Sequence, residues 1–199
     1  MTFNETLTDW FTTFWKILIS PTPKTFSSES QKAEGKFPGA VAWLVFFAVY
    51  LFIFSIFMLG QVFITGLIGI LFVIPLTMIL FTSAMNFLYQ RVFKGKQYIY
   101  DKLIYLNTAI LLSVQFLFVP FSALVLVPLS SITFNAIVAD VVLFYQFILT
   151  MIAFQSISGL KFWQAAVTVT VSIFAAAIAL FCTIPFLLSM IGGVNATVR

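Results

Sequence analysis

The chain predicts an all-α polytopic membrane protein, with five transmembrane helices preceded by an N-terminal amphipathic helix at the membrane interface. Three observations carry this. Hydrophobic residues make up 62% and charged residues 8% of the 199, with a mean hydropathy of +1.12, far from the balance of a soluble domain. Of the ten basic and six acidic side chains, all but Asp140, Lys161 and Arg199 crowd into the first 36 residues and one short stretch, leaving apolar runs where charge would be costly in hydrocarbon. That stretch, RVFKGKQYIYDK, holds Arg91, Lys94, Lys96 and Lys102 against the single acid Asp101, between two long apolar runs. Short loops this rich in Lys and Arg stay cytoplasmic, so it sets the orientation of everything else.

Residues 1–20 read as the amphipathic interfacial helix. Phe3, Leu7, Trp10, Phe11, Phe14 and Leu18 recur at three-and-four spacing, with Glu5, Asp9, Thr12, Thr13 and Lys16 opposite. Two placements remain open for the apolar face, on membrane lipid or on the protein's own spans. Thr2 and Glu5 have capping-box spacing, and Ser20-Pro21 ends the helix because a residue before proline avoids the helical region. The segment lacks the basic start and continuous apolar centre of a signal peptide. Residues 21–38 read as a polar cytoplasmic linker, punctuated by prolines and Gly35.

Residues 39–192 form the expected five-span membrane domain. The apolar run over 37–88 is far longer than the ~20 residues one span needs, so it predicts a hairpin of two, turning among Gly60, Gln61, Thr65, Gly66 and Gly69. A third span covers 103–127, with Pro120 predicting a kinked helix packed inside the bundle. An outer loop over 128–137 leads to a fourth span over 140–158. Gly159-Leu160-Lys161 then turns the chain into a fifth over 162–190, where Ser172, Ala176 and Ala179 among other small residues predict the closest helix packing. Residues 193–199 are the expected external tail, and Asn195-Ala196-Thr197 has the glycosylation spacing. With this layout nine of the ten basic residues fall on one side and only Arg199 on the other. The N-terminus is thus expected in the cytoplasm and the C-terminus outside.

Function is less legible. The net charge of +4 belongs to a cytoplasmic surface and points to no nucleic acid. There is no His, which removes the commonest general base and metal ligand, and the one cysteine, Cys182, excludes an internal disulfide. No catalytic set, cofactor or metal is expected. Asp140 is the candidate polar site, because an acid near a span suggests proton or ion handling. The favoured role, however, is capping the fourth span at its outer end. Gln61, Asn86, Asn107, Gln115, Gln146 and Gln155 suit interhelical hydrogen bonds or solute contacts, the former being commoner. Tyr98, Tyr100, Tyr105, Trp43 and Trp163 suit an interfacial aromatic belt.

Together with the five-span layout, Ser20-Pro21-Thr22-Pro23-Lys24-Thr25-Phe26, Tyr105 with Pro120, and SISGLK (156–161) leading into Phe162-Trp163-Gln164-Ala165 resemble the Yip domain family, named for Ypt/Rab-interacting proteins. The resemblance covers roughly residues 20–192. It implies a five-helix membrane protein with a cytoplasmic N-terminus and no agreed catalytic activity. The Asp-Leu-x-Gly-Pro and Gly-Tyr-x-x-x-Pro motifs of eukaryotic members are missing, and Gly35-Lys36-Phe37-Pro38-Gly39 is the nearest stretch. It is therefore similar to prokaryotic-type members of a cytoplasmic membrane, and the Rab GTPase partner of eukaryotic members does not carry over. The expectation is a non-enzymatic scaffold or accessory subunit, contacting membrane lipids and other integral membrane proteins. Transport of a small solute or ion is the alternative.

Overall fold

The computed structural model describes residues 3–32, 49, 74–121 and 132–196. Among them six helices follow in order: α1 (Phe3–Ile19), α2 (Pro23–Gln31), α3 (Ile74–Arg91), α4 (Tyr100–Phe121), α5 (Ile132–Ser158) and α6 (Phe162–Ala196). Three are long and apolar enough to cross a membrane, over Tyr100–Phe118, Ala136–Ser158 and Phe162–Thr183. Helix α3 occupies the end of the expected second span. The expected first span, the hairpin turn among Gly60 to Gly69, Trp43 and Pro128 lie outside the described residues. The chain is an all-α bundle whose composition and long apolar helices fit an integral membrane location, because a helix satisfies its own backbone in hydrocarbon.

Helices α3 to α6 form a closed ring, each packing on the next and α3 closing on α6. Short loops join α3 to α4 and α5 to α6, so neighbours run antiparallel. The α5–α6 turn is specified locally. Gly159 adopts φ +67°, where a side chain would be strained, and its N–H donates to Gln155 O at 3.0 Å. Lys161 N–H then donates to Gln164 Oε1 at 3.0 Å, which starts α6 with a side-chain cap.

Three structural differences from the sequence expectation stand out. Within the stretch expected as a linker, Pro23–Gln31 form α2: Thr22 Oγ1 caps it by accepting from Thr25 N at 3.2 Å, and Pro23 opens its first turn. The fully buried Phe26 then ties this polar helix to the bundle. Helix α5 also starts eight residues before Asp140, taking up part of the expected outer loop, and α6 continues through Ala196 into the expected tail.

The α1–α2 hairpin rests on α4 and α5. One apolar core joins Ile17 and Phe26 to Leu106, Ala109, Ile110 and Leu149. A second joins Met85 and Tyr89 of α3 to Leu103, Phe154, Ala165 and Val169. The hairpin is thus seated on one flank of the ring, while α3 closes the other.

Candidate functional site

The basic stretch becomes a built surface where α3, α4, α5 and α6 meet at one end of the ring. The chain leaves α3 at Arg91 and turns back sharply, with Val92 N and Phe93 N both donating to Leu88 O at 2.9 and 3.2 Å. Lys94 takes φ +54°, a region that costs a side chain energy, and Gly95 N donates to Tyr89 O at 2.9 Å. Gly95 lies so close to the Tyr89 ring that an added Cβ would overlap it. That ring cannot swing away freely, being 4% exposed and edge-on to Phe154 at 6.2 Å between centroids. Phe93 in turn meets Trp163 of α6 edge-on at 6.4 Å, joining the two loops.

Arg91, Lys94, Lys96 and Lys161 are exposed on this surface, beside the exposed rings of Tyr98, Phe162 and Trp163. Asp101 is the one acid in the sequence from Arg91 to Lys102, and the Tyr98 hydroxyl reaches it at 3.5 Å. Lys102 stands apart from its basic neighbours in sequence. It is half-buried in the first turn of α4 and lines a 160 Å³ polar cleft with Ser27 and Ser30 of α2 and Ser156 of α5.

A second cluster closes the N-terminal hairpin. Glu29 is enclosed, with 1% of its side chain exposed, and accepts from the Thr13 hydroxyl at 3.0 Å and from Lys32 at 2.8 Å. Lys16 lies 3.5 Å from its other oxygen, and Lys32 also donates to Asp9 at 2.7 Å and to Thr13 at 3.1 Å. Two acids and two bases thus neutralise one another, as charges held against apolar helices must. Burial pulls the Lys32 pKa down, but hydrogen bonds to Asp9 and Glu29 and their charges outweigh it, and the net shift is upward.

The apolar face of α1 divides between protein and surroundings. Phe14 is buried and meets Phe116 of α4 edge-on at 5.2 Å, Ile17 is fully buried, and Leu18 is half-buried. Phe11 touches Phe116 at 6.4 Å while staying half exposed, like Trp15. Phe116 lies about 24 Å along α4 from Tyr100. The side chains of Phe3, Leu7 and Trp10 lie outside the described residues. Tyr145 of α5 completes the seat, its hydroxyl donating to Leu18 O at 2.7 Å and satisfying one of the carbonyls left over at the end of α1.

Inside the ring, Ser172 and Ala176 are buried and Ala179 half-buried on α6, which packs along α3. Asn107 donates to Thr82 at 3.1 Å, an interhelical bond of the kind expected for these amides. Pro120 falls in the last turn of α4 and its side chain lies outside the described residues. Asp140 is exposed in the third turn of α5, which corrects its assignment as a helix cap: the helix has already begun at Ile132, so the first-turn N–H groups are out of its reach. Among the described residues no three His, Cys, Asp or Glu gather as a metal site.

Sequence reasoning missed Glu29, Tyr89, Gly95 and Tyr145. Only Gly95, inside Lys94-Gly95-Lys96, carried a readable turn signal. Chemically, the basic end can offer several cations and aromatic rings to one anionic surface. No protein family, curated protein or solved structure matches this chain.

Proposed function

We propose that the chain is a non-enzymatic scaffold or accessory subunit of a membrane complex of the transport type, five-spanning, with its N-terminus and basic end in the cytoplasm. The observation that carries this reading is the outer surface of α5 and α6. Val141, Leu143, Phe144, Phe174, Ile178 and Phe181 are all more than half exposed there, and no charged residue interrupts α6 over its length. In a bilayer such a face meets lipid tails or another apolar helix, and helices associate through packing rather than hydrophobic drive. Ala165, Ser172 and Ala176 of α6 are buried inward, so partners would pack on this bulky outer face. The Yip resemblance supports the five-span count, the prokaryotic cytoplasmic membrane and the orientation.

Purification of the full chain in a gentle detergent tests the reading. It should bring down a membrane partner in fixed ratio, and Phe174→Ala with Phe181→Ala should reduce that yield without unfolding the chain. Recovery of the bare chain alone would refute it.

Transport of a small solute or ion is a second reading with an observation of its own. Asn86 Oδ1, Ser113 Oγ, Gln146 Oε1 and Ser172 Oγ are buried and find no hydrogen-bond partner among the described residues, one on each helix of the ring. Gln146 also lines a 390 Å³ apolar cleft between α3, α5 and α6. Solute flux through vesicles holding the purified chain alone would favour this reading over the first.

A further inference from the structure

We infer that the basic end is a preformed docking surface for anionic phospholipid headgroups. The inference rests on placing this end at a membrane surface, and it adds which lipids are held there. Charge complementarity carries it: Arg91, Lys94, Lys96 and Lys161 are each exposed, at two turns joined by the Phe93–Trp163 contact, and Asp101 is the one acid in the sequence from Arg91 to Lys102. Exposed Tyr98, Phe162 and Trp163 supply rings suited to the headgroup level, where one side is apolar and the other wet. A polar partner protein would not account for more than half of three such rings standing clear of the fold.

The cations are also held in place. Lys94 is locked in a left-handed conformation, Gly95 is pressed against a buried tyrosine, and the Phe93–Trp163 contact sets the α3–α4 loop beside the α5–α6 turn. A side chain kept at a costly backbone angle by surrounding packing marks a position where shape is used. The Phe93–Trp163 contact brings together the two loops that carry Lys94 and Lys161. The phosphate oxygens of a diacyl lipid, whose tails run down beside the apolar helices, match that face in charge and depth.

The experiment uses the full chain in detergent, titrated with phosphatidylglycerol or phosphatidylcholine, and reads the rise in Tm that a ligand binding only the folded state must cause. Phosphatidylglycerol should stabilise and phosphatidylcholine should not. Cations near an anionic surface are each worth roughly fivefold in affinity, so Lys94→Gln with Lys96→Gln should weaken binding about thirtyfold. Gly95→Ala keeps every charge but disturbs the turn, and should weaken binding as well. Lys24→Gln, on α2, should leave it unchanged and serves as the control for net charge.

Equal stabilisation by both lipids, or by glycerol phosphate as strongly as by the lipid, would overturn the inference. So would unchanged affinity in a folded Lys94→Gln/Lys96→Gln chain. Loss of a co-purifying acidic protein from that variant, with lipid affinity intact, would likewise overturn it and give the face to that protein. Reporter fusions that place this end outside the cell would instead overturn the orientation, an outcome separable from lipid affinity measured in detergent.

Discussion

Glu29 is a carboxylate shut away from solvent, and its partners decide whether the N-terminal hairpin stays closed. Lys32→Met removes its closest cation and leaves Lys16 at 3.5 Å and the Thr13 hydroxyl. Breaking a buried pair outright costs about 3–5 kcal/mol, and with these partners remaining about 1–3 kcal/mol is expected from thermal unfolding in detergent. The same lysine gives the hairpin an alkaline limit. Because the Lys32 pKa is raised on folding, its contribution is complete below the ordinary lysine value and disappears as pH climbs through the raised one. Limited proteolysis of α1 should therefore accelerate in that alkaline range for the wild type and show no such step in Lys32→Met. Asp140 makes the opposite case: exposed in mid-helix and without a cap to lose, it should tolerate Asn and Leu within about 0.5 kcal/mol. A folded Asp140→Asn chain without function would show that the charge itself is needed, and would favour transport.

At the scale of elements, hydrophobic run length was enough to find α4, α5 and α6, since nothing but a membrane helix uses so many consecutive apolar residues. It was poor at their ends. The outer start of α5 carries Thr133 and Asn135, whose polarity suggests a loop although both are taken up in helix. Helix α2 escaped notice for a related reason, its composition being that of a linker, with Phe26 its one large apolar residue. Thr22-Pro23 was its legible start signal, a cap followed by a proline at the first helical position. The basic end was legible as charge, but the strained Lys94, the Tyr89 ring under Gly95 and the link to Trp163 depend on tertiary packing and leave no local pattern. Between elements, the bond from Tyr145 to Leu18 can be isolated. Tyr145→Phe keeps the ring and removes only the donor, so it should cost about 1 kcal/mol and speed amide exchange in α1 while leaving α6 unaffected.

For the whole molecule, the ring of four helices puts the α3–α4 loop and the α5–α6 turn at the same end, where Phe93 of the loop meets Trp163 just past the turn. Reporters fused after Phe93 and after Lys161 should accordingly share one compartment, the cytoplasm, while one after Val194 should lie outside. An external signal at Phe93 alone would contradict the ring as well as the orientation. The seat of α1 has a consequence for how the protein is made. Leu18 and its partner Tyr145 are 127 residues apart in sequence. A ribosome adding about 5–20 residues per second takes roughly 6 to 25 s to pass from one to the other. For most of that interval the N-terminal hairpin has been synthesised but the α5 half of its seat has not, and the faces of Phe14 and Ile17 must wait on the bilayer or on an insertion factor. Docking is therefore a late event in biogenesis, and a nascent chain arrested before α5 should expose α1 to proteases that the finished protein resists.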